Sequence, residues 1–170
     1  MPRAVIIDVE TTGLSTANGG RVIEIGAVAV EGGKIVAELG TLIRVDAPIH
    51  YGAQRVHGIN NAMLRGKPTP NEVWPQFADF VGSSALVAHN APFDAGFIRH
   101  EFSLLNLHLP NPWHCTVRLA RKRLPSLPNH KLATVARHLL GDIPDDCRLH
   151  RALDDARITA RVWLALVQLP

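Results

Sequence analysis

Cysteine is scarce: the 170 residues contain two, Cys115 and Cys147, and neither belongs to a C-x-x-C pair. That count and spacing exclude a disulfide framework and a zinc ribbon. No apolar run approaches the roughly 20 residues of a membrane helix. Long polar tracts are missing too, with hydrophobic residues at 46% and charged residues at 19%, which excludes a disordered chain. A leader is not expected either, because residues 1–3 run directly into an apolar strand ending in Asp8 and Glu10, too short and too acidic for a signal peptide. These absences predict a cytoplasmic protein with no membrane partner. Without an internal repeat or a second set of elements, residues 1–170 are expected to form a single domain able to bury its own core.

What is present begins with charge. The formal net charge is only +3, but the pI is about 9.2. Arg118, Arg121, Lys122, Arg123 and Lys131 crowd one stretch. Such a cluster suits a polyanionic partner, although a solvated helix face is the simpler explanation.

Residues 3–9 (RAVIIDV) form an almost continuous β-branched run, the pattern of a central strand buried on both faces. Residues 21–30 and 34–45 read as two further strands joined by Glu31, Gly32 and Gly33, a hairpin that makes the first three strands an antiparallel meander. A loop containing Pro48 leads to helical candidates at 60–65 and 71–81, and Trp74 and Phe77 read as core. Residues 85–89 (ALVAH) read as a strand feeding a helix that runs to about 105, with Asn90 as N-cap and Pro92 in the first turn. A short strand near 113–116 and helices at 117–124, 131–140 and 151–168 complete the chain. A meander followed by strand–helix alternation predicts an α/β domain, a mixed sheet flanked by helices.

Side chains alternate faces along a strand, so Asp8 and Glu10 point the same way, about 6 to 7 Å apart. They lie at the carboxyl end of their strand, where α/β sheets commonly bind ligands. Asp94 shares a helical stripe with Phe97, Ile98 and Leu105, and Asp155 shares one with Ile158, Val162 and Leu166. Both acids are expected to face inward. Asp154 aligns instead with Arg157 and Arg161 and is expected to be solvated. Like charges at 4 Å repel by roughly 4 kcal/mol at an effective dielectric near 20, and unpaired buried carboxylates are strongly disfavoured. Several inward acids therefore imply bound cations, and oxygen donors without a cysteine set favour magnesium or manganese over zinc.

With their neighbours these acids read DVETTGL (8–14), HNAPFD (89–94) and HRALDDA (150–156), in that order. The three motifs, with VHGI (56–59) and NHKL (129–132), strongly resemble the DnaQ-like, or DEDDh, 3′–5′ exonucleases, among them the proofreading exonucleases of bacterial replicative polymerases. The resemblance covers nearly the whole chain. It implies an RNase H-like fold in which Asp8, Glu10, Asp94 and Asp155 hold two divalent cations, Mg2+ or Mn2+, with His150 as general base. Two such ions about 3.5 to 4 Å apart clamp a scissile phosphate, and histidine, with an ordinary pKa near 6.5, takes a water proton near neutral pH. The resemblance also sets Thr11, Thr12, Gly13 and Leu14 beside the terminal nucleotide, through backbone amides and a wedging apolar side chain, with His57, His89, Asn90 and Phe93 nearby. Around Cys115 and Thr116 many relatives carry an acid before the threonine, so the chain departs from the pattern there, at no expected catalytic position.

The implied substrate is the 3′ end of single-stranded or mismatched nucleic acid, with DNA favoured over RNA and nucleoside 5′-monophosphates as product. A polymerase subunit and a second copy of the chain are the partners the resemblance admits. The runner-up is an RNA-trimming enzyme of the oligoribonuclease or RNase T type, and a more distant reading is a non-catalytic nucleic-acid or polymerase-binding module. A haloacid dehalogenase-like phosphatase fits poorly, since its motif wants a second aspartate where Glu10 stands and its late acids follow a strand rather than lie in a helix.

Overall fold

The computed structural model describes residues 2–143 and 147–169. Three antiparallel strands, β1 (Ala4–Thr11), β2 (Val22–Glu31) and β3 (Lys34–Leu42), are followed by β4 (Ala85–Ala88) and β5 (Trp113–Cys115). The five-stranded sheet has the order β3-β2-β1-β4-β5, with β4 parallel to β1 and β5 parallel to β4. Gly32 (φ 57°) and Gly33 (φ 82°) make the β2–β3 turn, in the left-handed conformation that tight hairpins need at both central positions.

The helices are α1 (Tyr51–His57), α2 (Asn61–Leu64), α3 (Pro70–Val81), α4 (Ala91–Leu104), α5 (Thr116–Arg123), α6 (Leu132–Leu140) and α7 (Ala152–Gln168). None is long and apolar enough to cross a membrane. The strict two-residue period of β1 divides it between two helical layers. Val5, Ile7 and Val9 pack with Trp74, Phe77, Phe97, Ile98 and Phe102 from α3 and α4. Ala4 and Ile6 pack with Ala156 and Ala160 of α7. The far side of α7 buries Ile158, Val162 and Leu166 against Ala120, Val135 and Ala136 of α5 and α6. The architecture is the mixed RNase H-like sheet with helices on both faces that the sequence implies.

Three local expectations need correction. Helix α1 occupies a segment that reads as loop, because Gly52 weakens it, His50 provides no side-chain cap and only His57 of its residues is buried. Asn90 does not cap α4 with its side chain; it adopts φ 76°, ψ 48°, and its value is tolerance of the left-handed conformation that turns β4 into α4. Asp154 is partly exposed, as expected, but paired rather than free in solvent: it bonds Arg157 at 3.0 Å and accepts the Arg148 amide at 3.1 Å.

Helix α7 is seated unusually close to the sheet at its first turn. Gly26 and Gly40 are partners in the β2–β3 register. A Cβ on Gly26 would overlap the Ala152 carbonyl and the Leu153 amide, and one on Gly40 would come within 2.9 Å of the Leu153 side chain. The start of α7 thus lies directly on backbone, which fixes the height of the helix above β2.

Candidate active site

The carboxyl ends of β1 and β4 reach one edge of the sheet, and four acids and a histidine converge there. Asp8 and Glu10 continue the alternation of Ala4 and Ile6 and so share the face of β1 that α7 covers. Asp94, in the first turns of α4 and 3% exposed, accepts the Val9 amide at 3.2 Å. That amide lies beyond the last β1–β4 pair, Ile7 with Ala88, so the side chain of Asp94 continues the ladder where β4 has ended. Asp155 is 7% exposed and accepts the His150 amide on Oδ2 at 3.0 Å. His150 itself sits at φ 63° just before α7 and is exposed. Ligand atoms of Glu10, His150 and Asp155 lie within 4.8 Å of one another.

These acids destabilise one another. Burial, then repulsion from Asp94, Asp155, Glu10 and Glu24, holds the Asp8 carboxyl well above the ordinary carboxylate range, and burial pushes Asp94 up with it. Glu10 is pushed up to about 8 by burial and by the charges of Asp155, Glu24 and Asp94, against which Arg151 acts. Burial raises Asp155 to about 6, opposed by the amide and charge of His150. Asp155 Oδ1 is buried with no hydrogen-bond partner among the described residues. An orphaned carboxylate oxygen beside three other acids fits a divalent cation: a hard positive charge offsets the repulsion, and oxygen donors suit magnesium or manganese.

The raised carboxyls make stability depend on pH. Each binds more protons folded than unfolded between its ordinary pKa and its raised one, so stability falls as pH rises through that window. His89, lowered by burial from 6.5 to about 4, works in the opposite sense, but only below 6.5. Between pH 6.5 and about 8 the carboxylate loss through Glu10 is therefore unopposed by His89. Thermal melts in EDTA should show the melting temperature falling over that interval, and Mn2+ should cancel the fall by displacing protons. A melting temperature in EDTA that rises with pH there would contradict the clustering.

Beside the acids opens a groove of about 700 Å³ lined by Val9, Glu10, Leu14, Val56, His57 and Phe93, among others. Leu14 is 88% exposed at its rim. The loop carrying Leu14 is braced from behind. A register shift between Glu10 and Thr11 interrupts the β1–β2 ladder before its last pair, Thr11 with Val22, and Thr11 Oγ1 donates to the Gly13 carbonyl at 2.7 Å. The Ile59 amide donates to His57 Nδ1 at 3.0 Å, so Nε2 carries the proton and donates to the Thr11 carbonyl at 3.2 Å.

Of the substrate positions implied by the sequence, Thr11, Gly13, Leu14, His57 and Phe93 line this groove. Thr12 and His89 do not. Thr12 is 1% exposed, its amide donates to the Arg21 carbonyl at 2.9 Å and its hydroxyl accepts the Arg21 amide at 3.0 Å. The His89 ring bonds Thr116 Oγ1 at 2.8 Å and the His130 carbonyl at 2.9 Å, joining β4 to α5 and to the segment before α6. Asn90 is exposed outside the groove. His50, outside the sequence motifs, also lines the groove, and a Cβ on Gly13 would meet its ring at 2.8 Å. Among the described residues, two buried acids escape the sequence motifs altogether. Glu24 faces Glu10 across the ladder. Glu101, fully buried, binds Arg21 through both oxygens at 2.8 Å and Trp74 Nε1 at 3.2 Å, fixing the base of the loop.

A sheet of this order with acids converging from β1, α4 and α7 defines a nuclease of the RNase H-like class. The exonuclease family model of RNase T matches residues 5–163, and the chain belongs to that exonuclease family. It is 36% identical over 165 residues to the DNA polymerase III subunit epsilon of Aquifex aeolicus, covering 96% of this chain and 80% of that protein. It is 43% identical over 158 residues to the PolC-type DNA polymerase III of Clostridium perfringens, covering 93% of this chain and 11% of that one. The chain spans about a tenth of the length of the PolC-type polymerases it matches. Exonuclease X in complex with 5′ overhanging duplex DNA shares the fold with a TM-score of 0.79 and 35% identity, covering 96% of this chain and 90% of that chain. The nuclease domain of 3′hExo, a DEDDh family member bound to rAMP, shares the fold at a TM-score of 0.81 and 19% identity, covering 98% of this chain and 92% of that chain.

Proposed function

We propose that residues 1–170 act as a single exonuclease domain that removes nucleotides from the 3′ end of single-stranded or mismatched DNA, releasing nucleoside 5′-monophosphates in proofreading or repair. The observation that carries the reading is the convergence of Asp8, Glu10, Asp94, Asp155 and His150 beside an apolar groove of nucleotide size. DNA is favoured over RNA because the more similar relatives are DNA polymerases and a nuclease bound to DNA. A polymerase is the partner that the epsilon and PolC relatives suggest.

Asp8, Glu10, Asp94 and Asp155 would hold two divalent ions, Mg2+ or Mn2+. Such ions, when bound, neutralise the scissile phosphate and acidify an attacking water. The protein's own residues do the rest. Phe93 and Val56 wall the groove in which the terminal base is held, and Leu14 at its rim separates that base from the one before it. The His57–Thr11 bond keeps the Glu10–Leu14 segment in register with the acids, so the terminal phosphodiester is presented to them rather than to solvent. His150, reaching the cluster from its exposed side, takes the proton of the attacking water on its ring nitrogen.

Gel time courses on 5′-labelled DNA and RNA of matched sequence, with Mn2+ and with EDTA, test this. The expected result is one-nucleotide shortening of DNA from the 3′ end, at least tenfold faster than RNA, and none in EDTA. Faster hydrolysis of RNA would move the assignment to an RNA-trimming enzyme. Absence of hydrolysis of either would leave a binding module.

A further inference from the structure

Glu24 is not one of the four acids assigned to the cations, yet it is 5% exposed and sits opposite Glu10 in the β1–β2 ladder. Its carboxylate accepts hydrogen bonds from Arg151 Nη2 at 2.7 Å, and from Arg151 Nε at 3.1 and 3.2 Å. It also accepts the Ala152 amide at 3.1 Å. Ala152 is the first residue of α7, and Arg151 before it provides no side-chain cap of its own. One carboxylate on β2 therefore fastens both the side chain and the backbone at the point where the chain enters the helix. Immediately before that point is His150, in the left-handed conformation. Asp155 lies within the first turns, and its amide donates to the Arg151 carbonyl at 2.9 Å.

A buried ion pair adds little stability over apolar packing of the same volume, whereas a forked guanidinium–carboxylate contact fixes orientation. Glu24 is also the wrong residue for stability alone, since its charge adds to the repulsion felt by Asp8, Glu10 and Asp155. Its geometry instead controls direction. We propose that Glu24 and Arg151 form a positioning clasp that sets the entry of α7 and so holds His150 and Asp155 within reach of Glu10. Neither clasp residue touches the reacting atoms. The inference rests on the exonuclease reading.

Two measurements on Glu24→Gln, Arg151→Ala, Arg151→Lys and the double variant Glu24→Gln/Arg151→Ala test it. On single-stranded DNA with Mn2+, kcat should fall about 30- to 100-fold in either of the first two variants, since a displacement near 1 Å costs on that order, with KM within threefold. The double variant should be no slower than the slower single one, because both open the same clasp. Arg151→Lys, which keeps the charge but not the fork, should recover part of the loss. In hydrogen exchange of the metal-free protein, amides of residues 150–155 should exchange at least tenfold faster in the first two variants, with β1 and β2 unchanged. A kcat within twofold of wild type would overturn the proposal, as would a loss accompanied by equal acceleration across β1 and β2, the mark of general destabilisation. If wild type hydrolyses neither DNA nor RNA, the exonuclease reading itself fails and the clasp has no reaction to serve; a working wild type with indifferent variants refutes the clasp alone.

Discussion

Asp8→Asn is expected to reduce exonuclease turnover at least about a thousandfold, some 4 kcal/mol of transition-state stabilisation, and to raise the melting temperature of the metal-free protein. Both effects have one cause. Asp8 is the acid that feels all the others, burial first and then Asp94, Asp155, Glu10 and Glu24. A cluster of like charges is tolerable only with cations bound, so a neutral amide of nearly the same shape removes a ligand and a repulsion together. The gain has a definite pH signature. The folded Asp8 carboxyl is held well above its ordinary value of 3.8, so its cost to stability begins near that value and grows as pH rises, and the amide relieves less at low pH than at high. At pH 8 the neighbouring acids are charging, Glu10 having its own midpoint there, and relief is larger. Melts in EDTA should therefore show the variant above wild type by several degrees at pH 8 and by a smaller margin at pH 5, about 2 to 4 °C accompanying each kcal/mol in a protein of this size. With Mn2+ the order should reverse. A variant that keeps more than a tenth of wild-type turnover, or gains equally at both pH values, would remove Asp8 from the cluster.

Asp155→Ala should cost turnover on the same scale for a second reason. Its Oδ2 anchors the His150 amide, so in the proposed roles truncation would delete a metal ligand and free the base at once. The stability gain should accordingly be smaller than for Asp8→Asn.

The acids are legible in the sequence because each breaks a periodic pattern. In β1, Ala4 and Ile6 against Val5, Ile7 and Val9 is a two-residue alternation that assigns Asp8 and Glu10 to one face. In α7, Ile158, Val162 and Leu166 are fully buried and carry Asp155 inward with them. Periodicity determines which way a side chain points and leaves open what it meets. Glu24 lies in the run VIEIGAVAV, an acid among buried residues that signals a needed partner. That partner is Arg151, 127 positions away, and no local pattern joins the two. Helix α1 is obscure for the opposite reason: its packing runs through His50 and His57 onto a loop rather than through an apolar stripe. Histidine is ambiguous in the same way. His89 and His150 flank two of the three acidic motifs, yet one is bonded on both ring nitrogens inside the protein and the other is exposed at the cluster.

Gly26→Ala should be the most damaging single-methyl substitution in β2. The added carbon would overlap the Ala152 carbonyl and the Leu153 amide, which are backbone atoms and cannot rotate aside. The first turn of α7 must then lift off the sheet or tilt. Overpacking of this kind costs about 1 to 3 kcal/mol or more, or about 2 to 12 °C of melting temperature here. The consequence for activity is disproportionate, since Ala152 hangs from Glu24 and the same turn presents His150 and Asp155 to Glu10. A shift near 1 Å should cost about a hundredfold in kcat even where the protein folds. Gly33→Ala separates the two effects. Gly33 is at φ 82° in the hairpin turn with nothing within 4 Å of the added carbon, so the variant bears backbone strain of about 1 kcal/mol without moving α7. It should melt lower and keep near-normal turnover at temperatures below its transition. If Gly26→Ala lost activity only in proportion to its lost stability, as Gly33→Ala should, the register of α7 on β2 would not be what aligns the site.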